Sequence, residues 1–178
     1  MQPNQNLLPD WSVDQWFNTA QPISLTDLRG KVVVIEAFQM LCPGCVAHGL
    51  PLAQQVHDTF PVDDVSVIGL HTVFEHHAAM TPVSLEAFIH EYRITFPVGV
   101  DTPGKAALPQ TMERYGLRGT PSLLLVDRAG ALAAHHFGQL SALRLGAEIM
   151  SLLMRDGNEH GEHPNPGSDQ CDDNGCGA

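Results

Sequence analysis

The sequence predicts an α/β fold, and three observations carry that expectation. Val32-Val33-Val34-Ile35 opens an apolar, β-branched run that continues to Phe38, as a central strand covered on both faces requires. Cys42-Pro43-Gly44-Cys45 follows it, and a helical pattern departs from Cys45-Val46-Ala47. Further strand-like runs, at Val65–His71 and Phe96–Asp101, then alternate with segments of helical period.

Taken in order, residues 1–21 read as an irregular arm pinned to the domain by Trp11, Trp16 and Phe17; an aromatic partner site is the other reading. Lys31 to Phe38 is the central strand. Pro43 to about Phe60 is a helix, kinked at Pro51. Val65–His71 is a strand, followed by a loop with Glu75, His76 and His77 that is expected near the substrate groove. Adjacent His76 and His77 lack metal-ligand spacing. Ser84 is the expected N-cap of a helix reaching Tyr92, with Leu85, Phe88 and Ile89 inward. A short strand over Phe96–Asp101 and a helix from Lys105 to Tyr115 come next. Ser122–Asp127 and Ala131–Phe137 form a hairpin across Arg128-Ala129-Gly130. Ser141 to about Arg155 closes the domain, apolar at Leu145, Ile149, Leu152 and Leu153.

From Asp156 on, Leu, Ile, Val and aromatic residues are absent, so residues 156–178 are expected to form an acidic, disordered tail. The division is thus arm 1–21, domain 22–155 and tail 156–178.

The chemistry concentrates on the C-x-x-C. Cys42 falls at a helix N-terminus, where orphan N–H groups and the positive end of the dipole favour a thiolate. That makes Cys42 the candidate nucleophile. Cys45, one turn on, is placed to close a disulfide with it. Glu36 interrupts an apolar strand. Buried, it needs a partner or a raised pKa and would relay a proton to and from Cys45; otherwise the strand turns it to a wet edge. His48 either assists proton transfer beside the disulfide or is a solvated helix residue.

Three further stretches join these residues in a resemblance. Ile23-Ser24-Leu25-Thr26-Asp27-Leu28-Arg29-Gly30-Lys31 precedes the strand, Glu36 stands six residues before Cys42, and Gly119-Thr120-Pro121 precedes Ser122–Asp127. Over residues 22–155 the chain resembles the thioredoxin superfamily, and most closely its TlpA-like thiol–disulfide oxidoreductases. The resemblance implies a central mixed sheet flanked by helices, with an inserted βα element at 96–115. It also implies a cis bond before Pro121 and a Thr120 backbone that pairs with an incoming peptide. Exchange would run through a mixed disulfide on Cys42, resolved by Cys45, with no cofactor beyond that redox disulfide. The partners implied are a protein or small-molecule disulfide substrate and an upstream dithiol electron donor.

Composition limits the alternatives. The net charge is −11 over 178 residues; residues 1–155 hold fourteen acids against nine bases, and the tail adds six acids and no Lys or Arg. That balance argues against nucleic acid, and no apolar run is long enough to span a membrane. The first ten residues lack a charged n-region and an apolar h-region, so the cytoplasm is the expectation, with the periplasm if the chain is a trimmed mature form. A thiol peroxidase is one alternative, although Gln39 stands where the peroxiredoxin signature has Thr. A metal-binding protein using Cys42, Cys45, Cys171 and Cys176 is another. Cys171 and Cys176 are also readable as a second redox pair, as soft-metal ligands together with His160 and His163, or as incidental tail residues.

Overall fold

The strand β2 (Val32–Phe38) is central, with all seven residues buried. In the computed structural model, which describes residues 7–105 and 107–155, it lies between the parallel β3 (Val65–His71) and the antiparallel β5 (Ser122–Val126). Beyond them lie β4 (Val98–Asp101), the edge strand β1 (Val13–Phe17) and, on the other side, β6 (Leu132–Phe137). The order is β1-β4-β3-β2-β5-β6, a mixed sheet of thioredoxin type with the helices α1 (Leu50–Thr59), α2 (Pro82–Glu91), α3 (Gln110–Arg114) and α4 (Ala142–Arg155).

The two-residue period of β2 divides the core. Val32, Val34 and Phe38 face α1, α2 and α4, packing with Leu50, Ala53, Val56, Leu85, Ile89, Leu145 and Ile149. Val33, Ile35 and Ala37 face the opposite layer, formed by Leu8, Trp11, Leu25, Leu28, Met112 and Leu117. Leu145 and Ile149 are fully buried, each worth roughly 1.5–3 kcal/mol of hydrophobic stabilisation. Glu36 shares the first face, so the pleat directs it toward the layer that carries the cysteine helix.

Four expectations are corrected. The irregular arm contains β1, which pairs antiparallel with β4. Trp11 does anchor it, being buried, with its Nε1–H donating to Ile23 O at 2.8 Å. Asn18, at φ 56°, ends the strand, and its amide donates to Ile94 O and Phe96 O. Helix α2 starts earlier than Ser84: Thr81 is the cap, its hydroxyl accepting the Ser84 N–H at 3.2 Å, with Pro82 in the first turn. The helix expected from Lys105 shrinks to Gln110–Arg114, because Pro109 precedes it and the buried Asp101 carboxylate takes the N–H groups of Thr111 and Met112. Finally, Pro51 does not simply kink the first helix. The backbone widens into a π-type turn over Cys45–Gly49, with the Leu50 N–H donating to Cys45 O, before α1 begins.

Candidate active site

Cys42 lies where β2's chain turns into the helix; its N–H donates to Gln39 O at 3.1 Å. Its Sγ is half-buried and accepts the backbone N–H of Cys45 at 3.3 Å. That is the orphan N–H of a helix start aimed at a sulfur, as the spacing anticipates. On its other side Sγ lies 3.5 Å from Thr120 O. Cys45 is buried, and the two thiols are not bridged. Burial, reinforced by the hydrogen bond with Cys42, pushes the Cys45 thiol far above its ordinary value.

The Thr120–Pro121 bond is cis. The Pro121 ring packs on the cysteine turn: a Cβ at Gly44 would meet Pro121 Cδ at 3.2 Å. Glu36 is 1% exposed, which removes the wet-edge reading. Its Oε1 has no hydrogen-bond partner, and it lies beneath the π-type turn, close to Gly49. Desolvation, with a smaller contribution from the Cys42 charge, raises the Glu36 carboxyl well above its ordinary 4.5. Cys42, Cys45, Glu36, Thr120 and Pro121 are therefore brought together. His48 is not: it lies on the exposed side of the turn.

The sequence reading missed the residues that hold the redox loop. Gln39 is buried, its Oε1 accepting the Phe74 N–H at 3.2 Å and its Nε2 donating to Glu75 Oε1 at 3.4 Å. The loop after β3 is thereby tied to the cysteine loop, while His76 and His77 are exposed. His71, at the end of β3, is buried beside Phe38 with ring centroids 5.2 Å apart. Its Nε2 accepts the Met40 N–H at 3.5 Å, which requires that nitrogen to be unprotonated. The sequence signals were a polar residue in an apolar strand end and an amide three residues before Cys42. Neither named its partner. Among the described residues no group of three or more His, Cys, Asp or Glu is placed to hold a metal. Cys171 and Cys176 lie outside the described residues, and so do His160 and His163.

Burial pushes His71 down to about 4. Between that value and the ordinary 6.5 the unfolded chain binds a proton that the folded chain refuses, so stability is complete above 6.5 and is lost as pH falls toward 4. Relative to His71→Asn, the parent protein is expected to lose about 3 kcal/mol over that interval. Urea denaturation at both ends of the interval measures the difference, and parallel pH profiles for the two proteins would contradict it.

Solved structures share this architecture. A thioredoxin-like superfamily protein is 67% identical, with a TM-score of 0.82, covering 83% of this chain and 96% of that one. A thiol-disulfide isomerase from Corynebacterium glutamicum is 51% identical, with a TM-score of 0.80, covering 84% and 97%. The thiol-disulfide oxidoreductase ResA of Bacillus thuringiensis is 25% identical over 117 residues, 66% of this chain and 61% of that protein. With its dithiol on a sheet of this order, the chain is a TlpA-like protein of thioredoxin fold, similar to these thiol–disulfide oxidoreductases. The sequence pattern of the AhpC/TSA family matches residues 5–135, and the chain belongs to that family. It spans only 13% to 21% of the first curated relatives it matches, NHL repeat-containing protein 2 from chicken and cattle and DipZ from Mycobacterium bovis. No helix among the described residues is long and apolar enough to cross a membrane.

Proposed function

We propose that the chain reduces disulfides by cycling Cys42 and Cys45 between dithiol and disulfide. The observation that carries this reading is the asymmetry of the pair: Cys42 Sγ is half-buried and accepts a helix-start N–H, while Cys45 is buried with its thiol held protonated. The Cys42 thiolate attacks one sulfur of a substrate disulfide, forming a mixed disulfide and releasing the other sulfur as a thiolate. Cys45, once deprotonated, attacks Cys42 Sγ and releases the second substrate thiolate. Two electrons pass to the substrate, and an upstream dithiol donor restores the pair.

Burying Cys45 keeps it inert until a proton acceptor is available. Glu36, buried beneath the same turn with an unpartnered oxygen, is the group positioned to exchange that proton. The Thr120 backbone and Pro121 hold the substrate strand against Cys42. His48 is exposed, and these steps do not use it.

Cys45→Ser tests the reading. With a peptide disulfide as substrate, the variant is expected to stop at a stable adduct on Cys42, read as the added peptide mass, with turnover lost. Full turnover without Cys45 would overturn the two-cysteine cycle.

A further inference from the structure

The face that opens onto Cys42 has a chemistry of its own. Arg118, Gly119 and Thr120 run in sequence beside the sulfur, with Thr120 O 3.5 Å from Cys42 Sγ. Gly119 lets the chain pass close to the Phe137 ring, where an added Cβ would meet Cε2 at 3.1 Å. The Arg118 guanidinium lies 5.8 Å from the centroid of that ring. Arg118 is exposed and is paired with no carboxylate among the described residues. Phe137 and Leu41, the residue before Cys42, are 54% and 55% exposed. A cation, an aromatic ring and an aliphatic side chain are thus carried on, or packed against, the two segments that flank the reactive sulfur. An acidic segment that carries cysteine fits those groups, by charge and by chemistry.

The chain contains such a segment. Asp169-Gln170-Cys171-Asp172-Asp173-Asn174-Gly175-Cys176 holds three acids and no base, in a stretch that has six acids and no Lys or Arg from Asp156 onward. Resting on the reading of Cys42 and Cys45 as an exchange pair, the geometry points to Cys171 and Cys176 as its intramolecular partner, received at the Arg118–Phe137 border. The covalent path is long enough. Gly138 N–H donates to Pro121 O at 2.9 Å, so the chain leaves β6 at the site, and α4 begins four residues later. Its fourteen residues span about 21 Å to Arg155. Cys171 is sixteen residues further on, a contour of up to about 55 Å, more than twice the length of that helix.

Exchange balances without any added reagent. The Cys171 thiolate attacks Cys42 Sγ of the Cys42–Cys45 disulfide; the Cys45 thiolate leaves and takes up a proton. Cys176, deprotonated, then attacks Cys171 Sγ and releases the Cys42 thiolate. The tail pair is oxidised by two electrons and the Cys42–Cys45 pair is reduced, and the upstream dithiol donor recharges the tail. Neighbouring Asp172 and Asp173 disfavour the attacking thiolate, and a docked Arg118 offsets that charge, so docking and reactivity are coupled.

The test uses the full chain carrying Cys45→Ser and Cys176→Ser, so that neither cysteine can resolve the adduct, mildly oxidised with glutathione disulfide and digested without reduction. The expected product is a peptide joining Cys42 to Cys171, in a yield unchanged by tenfold dilution. Its rate of formation should fall about fivefold in an added Arg118→Glu background, the effect of about 1 kcal/mol. Because Cys45 is buried, the same digest is also made from the chain with Cys45 intact, acid-quenched at intervals, where the linkage is expected as a transient. Glutathione on Cys42 with no tail linkage in either protein would overturn the proposal and leave the exchange function standing. Failure of Cys42 to form any mixed disulfide would overturn the function itself. Stoichiometric zinc in the purified chain, lost with Cys171→Ser and Cys176→Ser, would assign the tail to metal and overturn the relay.

Discussion

Gly49→Ala is expected to destabilise the protein by about 1–3 kcal/mol and to lower turnover with it. In an ordinary helix this substitution gains up to about 1 kcal/mol, because alanine restricts the unfolded chain. Here the space is taken. The new Cβ would collide with Glu36 Oε1 and lie 3.0 Å from Glu36 Cδ and 3.1 Å from Pro121 Cβ. Glu36 is held between β3 and β5 and cannot retreat, so the turn or Pro121 must move. Either movement changes the 3.5 Å approach of Thr120 O to Cys42 Sγ. Gly146→Ala, in α4 with nothing within 4 Å of its Cβ, is the control and should be neutral to stabilising. Denaturant midpoints and disulfide turnover measured on both variants check the contrast. A Gly49→Ala protein as stable and active as the parent would show that Glu36 does not lie against the turn.

For Glu36→Gln, stability and activity are expected to move in opposite directions. The carboxyl is raised above 4.5 by burial first and by Cys42 second. Between 4.5 and that raised value the folded chain keeps a proton that the unfolded chain has lost. Its stabilising contribution is therefore complete below about pH 4.5 and is lost as pH rises through the folded value, by up to about 1.4 kcal/mol per unit. Glutamine stays neutral throughout. The variant should match the parent near pH 4.5 and exceed it at pH 8, by chemical denaturation. Turnover should meanwhile fall about tenfold to a hundredfold, with loss of the pH limb that Glu36 supplies, because Cys45 loses its proton acceptor. An unchanged pH profile of turnover would remove Glu36 from the mechanism and leave it a buried acid with a stability cost.

These effects were legible in the sequence to different depths. Glu36 in an apolar strand, six residues before a C-x-x-C, could be recognised as a buried acid with a purpose, because the two-residue period of β2 is local. The helix start at the cysteines, the hairpin at Arg128–Gly130 and the amphipathic α4 are equally local, and each was read from patterns within about fifteen residues. The role of Gly49 was not legible. It depends on Glu36, thirteen residues earlier, and Pro121, seventy-two residues later, meeting at one point. His71 and Gln39 are alike in this: each is a polar residue whose meaning is the loop it holds.

The same division runs through the fold. By itself the sequence determined the α/β class, the central strand and the dithiol, because hydrophobic period and turn chemistry act between near neighbours, whereas the prolyl loop was implied by the family resemblance. Tertiary structure alone decided that Val13–Phe17 is a strand, since its five residues alternate weakly and gain their hydrogen bonds from β4, more than eighty residues away. It decided the shortness of α3, whose first N–H groups are taken by Asp101 from the adjoining strand. It also decided the wide turn at Cys45–Gly49, where Pro51 removes a backbone donor and Glu36 and Pro121 fill the space beneath. Backbone hydrogen bonds and close packing are satisfied wherever a partner lies in space, and that position is set only once the distant segments have met.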